Sequence, residues 1–391
     1  MTRIDIPRTT GLIRDAVRAD DGFVPLHAPR FAGAEWRYLK DCLDTGWVSS
    51  VGAYVDRFER DLAAVFGARR AVATVNGTAA LHVALRLAGV GQGDEALIPA
   101  LTFVATANAV RYCGAVSHFV DSEWATLGLD PDALDVWLTE TAERRAGGPV
   151  NRRTGRRIAA VVPMHAFGHP ARIDRLLAVA ADWEIPVVED AAESLGSLLD
   201  GAPLGARGLI GATSFNGNKI VTTGGGGAIL TDDDALADRA KHLTTTAKQP
   251  HPWAFIHDEP GFNYRLPNVN AALGCAQLEQ LPAMLADKRR LAERYRAVFR
   301  GVEGARVFEE PAGARSNYWL NALVLDDPTD RDPLLEATNA AGLMTRPVWT
   351  LMSDLPMHAD CPAAPLPVAR DIAGRLINIP SSAALGAERA A

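Results

Sequence analysis

No stretch of the chain is apolar for long enough to cross a membrane: the longest apolar runs, such as 158–164 (IAAVVPM), fall far short of the roughly 18 residues that a spanning helix requires. The N-terminus, MTRIDIPRTTGLIRDAVRADDG, alternates charged and apolar residues and lacks the continuous apolar core of a signal peptide, so a cytoplasmic location is expected. Cysteine is scarce. Cys42, Cys113, Cys275 and Cys361 stand far apart with no C-x-x-C pair, which argues against a disulfide framework or a structural zinc site and leaves the role of small buried hydrophobes. An excess of positive charge is also missing: 40 Lys and Arg against 47 Asp and Glu leave a net charge of −7, which disfavours broad binding to nucleic acid or anionic membranes. Any phosphate-bearing ligand must then be held locally. The chain has no G-x-x-x-x-G-K-[ST], and Gly89, Gly91 and Gly93 in GVGQGDEA follow a helical pattern rather than a strand, so neither a P-loop nor a dinucleotide turn is supported. His165 and His169 lie four apart around Phe167-Gly168, not in the helical H-E-x-x-H arrangement, and no metal is expected.

What is present is an α/β pattern. Across 391 residues with 48% hydrophobic and 22% charged side chains there is room for two or three domains. From 70 to 231 short apolar runs alternate with helical segments, the mark of a mostly parallel sheet covered by helices on both faces. The predicted strands are 70–75, 95–99, 115–120, 158–163, 185–189, 210–215 and 226–231. The stretch 78–88 (TAALHVALRLA) reads as a helix opened by Thr78 and closed by Gly89, and 172–183 as another that ends before Pro186. The charged, Gly-rich 139–157 reads as a surface excursion. A long helical region at 268–300 leads to a tail with fewer strands, at 305–309 and 319–325. The expected organisation is an N-terminal segment, 1–40, packed on a smaller α+β C-terminal domain, 270–391, with a large domain over 41–269.

Three features converge on chemistry. Asn76-Gly77-Thr78-Ala79 joins a strand to a helix, where glycine admits close approach and first-turn amides face outward; it is either a phosphate seat or a glycine turn with Thr78 as N-cap. Glu189-Asp190 ends an apolar run at the sheet edge where open α/β folds bind ligands; the acid either meets a ligand cation or caps the following element. Lys219, in SFNGNKIVTT before the run Gly224 to Gly227, is either a desolvated amine suited to Schiff-base chemistry or a lysine snorkelling from a loop. A lysine, an acid and a helix N-terminus are together the parts that a pyridoxal-phosphate enzyme needs.

At these residues the sequence resembles the DegT/DnrJ/EryC1/StrS family of sugar-nucleotide aminotransferases, which have the aspartate-aminotransferase fold (fold type I). The likeness runs from Pro25 to Ser382 and rests on GWVSSVGAYVDRFE (46–59), VNGTAALHVAL (75–85), PALTFVATANAV (99–110), PMHAFGHP (163–170), VVEDAAESLGS (187–197), SFNGNKIVTTGGGG (214–227) and GFNYRLPNVNAALGCAQLE (261–279). With TGWVSS, SFNGNK, TRPVWTLM (345–352) and IPSS (379–382), it is most similar to enzymes that make 4-amino-4,6-dideoxy-N-acetylhexosamine nucleotides for bacillosamine and legionaminic acid.

The resemblance implies that Lys219 forms the internal aldimine and then shuttles a proton, and that Asp190 pairs with the pyridinium nitrogen. It implies that Gly77, the Thr78 and Ala79 amides and the Ser214 hydroxyl hold the phosphate, and that Phe103 stacks on the ring. Asn263 is expected to reach the cofactor of a neighbouring subunit, which implies a homodimer with shared sites. Ser49, Ser50, His165 and Arg265 are candidate substrate contacts, with turn or ion-pair roles as the alternatives. Many relatives have Gln three residues after the ring-binding acid, and this chain has Glu193, which puts the contact with the cofactor's phenolic oxygen in doubt. Dehydratase relatives carry His at the lysine position, so that reaction is disfavoured. The implied reaction takes an amino group from L-glutamate to a nucleotide-linked 4-keto-6-deoxy sugar; a 3-keto sugar, a keto-inositol or a non-catalytic pyridoxal-phosphate sensor are the other readings.

Overall fold

A computed structural model describes residues 2–20 and 22–388. Seven of the short apolar runs line up in one mixed sheet. Its order is Arg70–Thr74, Gly227–Thr231, Ile210–Ser214, Val188–Asp190, Ile158–Val161, Glu95–Pro99 and Val116–Val120, with parallel bridges Val161–Val187 and Met164–Asp190 joining its two halves. Only Gly227–Thr231 runs antiparallel to its neighbours. All residues of Glu95–Pro99, Ile158–Val161, Val188–Asp190 and Gly227–Thr231 are buried, as befits strands covered on both faces.

Local chemistry sets the element ends. The helix Gly77–Leu87 begins one residue before the expected 78, because Asn76 rather than Thr78 is its N-cap: the Asn76 side chain accepts the Ala79 N–H at 2.8 Å. The expected strand 185–189 is displaced to Val188–Asp190, with Val187 only bridging. The charged excursion contains a small hairpin, Ala142–Arg145 paired with Gly148–Asn151.

The second body is built on an antiparallel sheet ordered Ala305–Val307, Asn321–Leu325, Leu376–Ile379, Arg346–Pro347. The helix Asn268–Val298 ties the two bodies together. Its first half packs on the helices Ala53–Phe66 and Glu35–Thr45 through residues such as Cys275 and Gln277. Its second half, through Leu291 and Tyr295, shares a core with Ile13 and Val17 of the helix Ile6–Val17 and with Leu323 and Ile377 of the small sheet. The strap that follows the first helix is stitched to this body by backbone hydrogen bonds: Val24 N–H to Gly342 O (2.8 Å), Met344 N–H to Val24 O (2.9 Å) and Ser381 N–H to Leu26 O (2.6 Å). Cys42, Cys113, Cys275 and Cys361 are free thiols, the first three buried. No helix among the described residues is long and apolar enough to span a membrane.

Candidate active site

A cavity of about 620 Å³ opens at the carboxyl edge of the large sheet, where the chain leaves successive strands: Asn76, Gly77 and Thr78 after Arg70–Thr74, Phe103 after Glu95–Pro99, Met164 after Ile158–Val161, Asp190 and Ser214 at their strand ends. Open parallel sheets present ligands there because loops diverge at that edge and helix N-termini point to it.

Lys219 is confined in the cavity wall rather than extended into solvent. Its amide is held by Asn216 O (2.9 Å), and its side chain is 13% exposed. Nζ lies 3.2 Å from Glu193 Oε1 and 3.9 Å above the Trp319 ring, while the Trp319 indole N–H donates to Asn218 O (2.7 Å). Glu193 is itself buried and accepts the Phe167 N–H on its other oxygen (2.8 Å). Phe167 supplies that amide from a left-handed backbone (φ 56°), a sparsely populated conformation for a non-glycine residue, with its ring stacked 4.7 Å from Trp349. Burial pushes the Glu193 carboxyl up to about 7, against the opposing pull of Lys219 and the Phe167 amide.

Adjacent Glu189 and Asp190 meet opposite fates. Glu189 accepts from the amides of Gly205 (2.8 Å), Arg207 (2.6 Å) and Gly208 (2.8 Å) and pairs with His165 Nε2 at 3.0 Å. Burial raises its carboxyl, but His165 and the amides outweigh burial and hold it below the usual carboxylate range. It is a clamp for the following loop. Asp190, facing the cavity, accepts the Thr106 hydroxyl at 2.6 Å and the Ala192 N–H at 3.2 Å, and burial pushes its carboxyl above the ordinary value. It therefore gains from a cationic ligand group in a way that Glu189 does not.

His165 does not reach the cavity, which corrects its expected substrate role. The ring is fully buried, with Nδ1 accepting the Ala171 N–H and Nε2 committed to Glu189. The glycine turn offers fewer free amides than expected. Gly77 and Thr78 border the cavity with first-turn amides that lack an intrahelical acceptor, but the Ala79 amide is occupied by Asn76. Ser214 stands against this turn so closely that a Cβ on Gly77 would sit 2.8 Å from the Ser214 Cβ, so glycine is required there. Phe103 is 49% exposed at the cavity wall, its ring 6.3 Å from Trp349.

Four expected residues lie elsewhere in the single chain. Asn263 is exposed, its backbone bridged to Thr245. Ser49 is exposed, and Ser50 and Arg265 line a separate cleft of about 240 Å³ in which the Arg265 Nε is buried without a partner. Conversely, Trp319, Trp349, His27, Arg346 and Asn378 line the cavity, and buried Thr106 orients Asp190 from behind its wall; the sequence reading singled out none of them as a site residue. TFVATAN contained Thr106, VNGTAA contained the stronger N-cap Asn76, and TRPVWTLM contained Arg346 and Trp349; His27, Trp319 and Asn378 are brought in from remote segments outside the motifs that carry the resemblance.

The residues fit pyridoxal phosphate: a confined amine, a buried acid in need of a cation, and a glycine turn at a helix N-terminus beside a serine hydroxyl. The one cluster of metal-ligand types among the described residues, His242, Asp258 and Glu259, is a surface network also bonded to Arg239 and Gln249.

A model of the DegT/DnrJ/EryC1/StrS aminotransferase family matches residues 30–391. GDP-perosamine synthase of Caulobacter vibrioides is 36% identical over 93% of this chain and 94% of the relative. Among solved structures, the aminotransferase TlmJ from Streptoalloteichus hindustanus superposes with a TM-score of 0.83 at 29% identity, covering 92% of this chain and 94% of that one. DesI, solved in the presence of its TDP-sugar product, superposes with a TM-score of 0.81 at 30% identity, covering 93% and 88%.

Proposed function

This chain belongs to the DegT/DnrJ/EryC1/StrS aminotransferase family and is a pyridoxal-phosphate-dependent sugar-nucleotide aminotransferase of fold type I, and from that premise we propose that it carries the amino group of L-glutamate to the 4-position of a nucleotide-linked 4-keto-6-deoxy sugar. The proposed acceptor is a UDP-linked 2-acetamido-2,6-dideoxy-4-ketohexose, a precursor of legionaminic acid or bacillosamine. The observation that carries the reading is Lys219 held beside Glu193 in the same cavity as the buried Asp190.

When bound, pyridoxal phosphate supplies an aldehyde that accepts the amino group and a pyridinium ring that takes up an electron pair. Asp190, oriented by the Thr106 hydroxyl and the Ala192 amide, would hold a proton on the ring nitrogen. Lys219 Nζ removes and returns the proton at the carbon that gives or receives nitrogen, and the indoles of Trp319 and Trp349 keep that side of the cavity dry. The Gly77 and Thr78 amides and the Ser214 hydroxyl would hold the phosphate, and Phe103, which lines the same cavity, would pack against the cofactor. Asn263 and Ser49 serve the cavity of a second subunit in a homodimer. Support for that assembly comes from apolar side chains left in water on the loop of Ser49 and in the neighbouring stretches of chain: Trp47 and Val51 beside Ser49, Trp36 on the preceding helix, and Trp253 and Phe255 in the loop that leads to Asn263.

A GDP-linked acceptor is a second reading, favoured by the 36% identity to a GDP-perosamine synthase. The test is a panel of enzymatically generated UDP-, GDP- and dTDP-linked 4-keto sugars with a 3-keto control, given to the loaded enzyme with glutamate and followed by product NMR. Nitrogen at C4 of the UDP sugar with release of 2-oxoglutarate is expected; nitrogen at C3, or a loaded protein that glutamate cannot discharge in a single turnover, overturns the reading.

A further inference from the structure

His27 and Asn378 meet the same cavity from outside the large domain. Both carry polar atoms that the protein leaves without a hydrogen bond: His27 Nδ1 and Nε2, and Asn378 Oδ1. A buried polar group without a partner is destabilising, and such groups are rare unless a ligand or water completes them. Neither residue is loosely placed. Leu26 O accepts the Ser381 N–H at 2.6 Å and the Ala28 N–H donates to Ser382 Oγ at 2.8 Å, so His27 is pinned from both sides to the chain that follows Asn378. Asn378 sits in the strand Leu376–Ile379, directly opposite Arg346 in the ladder, and Arg346 also lines the cavity.

The charge around His27 decides what it can bind. Burial is the main reason its ring stays neutral, and the nearby Lys288 and Lys219 ammonium groups reinforce this. Lys288, fully buried, is held by Trp319 O (3.1 Å) and Ser381 O (2.5 Å), while the Trp319 ring is 6.5 Å from the His27 ring. A neutral imidazole offers one donor and one acceptor, and the amide of Asn378 offers both as well. That set suits an uncharged hydrogen-bonding group; a carboxylate would be better served by Arg346. The broad χ2 torsion of histidine allows a ring nitrogen to turn into the cavity when a ligand arrives.

We propose that His27 and Asn378 form a subsite that reads an uncharged substituent of the acceptor sugar, a hydroxyl or acylamino group, and so determine which sugar is aminated. The pair plays no part in the reaction of the amino donor. His27 lies before the segment 30–391 that matches the family, so half of this subsite is supplied by the N-terminal strap. The inference rests on the sugar-nucleotide aminotransferase reading, but not on the ring position aminated or on the nucleotide.

The test uses loaded enzyme and whichever of the 3-keto and 4-keto sugar nucleotides gives the highest kcat/KM. His27→Ala, His27→Gln, Asn378→Ala and the double variant are compared in the two half-reactions separately. Each alanine is expected to raise KM for the sugar nucleotide about tenfold, the loss of one neutral hydrogen bond. The rate at which glutamate discharges the cofactor should stay within twofold of the wild type. His27→Gln should restore most of the affinity, and the alanine variants should lose discrimination between 2-acetamido and 2-hydroxy sugars. Equal losses in both half-reactions, a shifted pH titration of the bound cofactor's absorbance, or unchanged KM and discrimination would overturn the proposal. Failure of every 4-keto sugar while a 3-keto sugar turns over would overturn the proposed ring position and leave the subsite to be judged on the 3-keto substrate.

Discussion

The two walls of the central cavity are built on opposite principles. On the large-domain wall the ionisable groups have internal partners: Asp190 is held by Thr106 and Ala192, Glu193 by Phe167 and Lys219, and Lys219 by Glu193 and Trp319. On the small-domain wall His27 and Asn378 keep polar atoms that the protein does not satisfy. The contrast follows from what each wall does. Groups that act on the reacting atoms must be held in place beforehand, because reorganising them during the reaction raises the barrier. Groups that recognise a substrate must leave hydrogen-bonding capacity for it.

The comparison breaks first at Lys219. Lys219→Ala should abolish both half-reactions and the near-ultraviolet absorbance that borohydride fixes in the wild type; a fixable absorbance in the variant would move the reacting amine elsewhere. Asp190→Asn comes next. It keeps the size and the Thr106 contact but removes the charge, and kcat should fall roughly 10²–10³-fold, the scale of losing one preorganised electrostatic group. If only KM changed, Asp190 would belong with the recognising wall.

The same division marks what the sequence made legible. Lys219, Asp190, Gly77, Thr78 and Ser214, all of which line the cavity, were readable because Asp190 and Ser214 end strands, Gly77 and Thr78 open a helix after a strand, and Lys219 sits in the glycine-rich loop between two apolar strands. The seven core strands were readable for a similar reason, since buried parallel strands are short continuous apolar runs. Leu376–Ile379 was missed because LINI is only four residues long and directly follows the helix Pro367–Arg375, leaving no turn signal between them. His27 and Asn378 were missed because they converge from remote segments and no spacing in the sequence records that, whereas Arg346 lay inside the quoted TRPVWTLM without a role assigned to it. His165 misled for the converse reason: its neighbourhood in the chain is the site's, but its ring turns inward to Glu189.

Glu193 tests the partnered wall through pH. Its folded carboxyl titrates near 7 against an ordinary value of 4.5. Between those values the native cofactor-free protein keeps a proton that the unfolded chain has lost, so this group's contribution to stability falls as pH rises through the window and stays lost above about 7. Glu193→Gln removes the titration. The melting temperature of the variant relative to wild type should therefore climb by roughly 5 °C between pH 4.5 and 8, measured on cofactor-free protein. A flat difference would mean that Lys219 keeps Glu193 ionised throughout.

The smallest effect concerns Asn76, where the two possible uses of one amide compete. In the structure the Ala79 N–H is committed to the Asn76 side chain, as an N-cap requires, whereas the resemblance to the aminotransferase family assigns that amide to the cofactor phosphate. Removing the cap with Asn76→Ala should cost about 1 kcal/mol, or roughly 1–2 °C in melting temperature for a chain of this length. If the cap keeps the amide when cofactor binds, the variant suffers the same loss with and without pyridoxal phosphate. If the phosphate displaces the cap, the bound anion satisfies Ala79 in both proteins, and the difference between variant and wild type shrinks on loading. Melting curves of the four samples therefore decide whether the Ala79 amide remains part of the helix cap or joins Gly77, Thr78 and Ser214 in the phosphate seat.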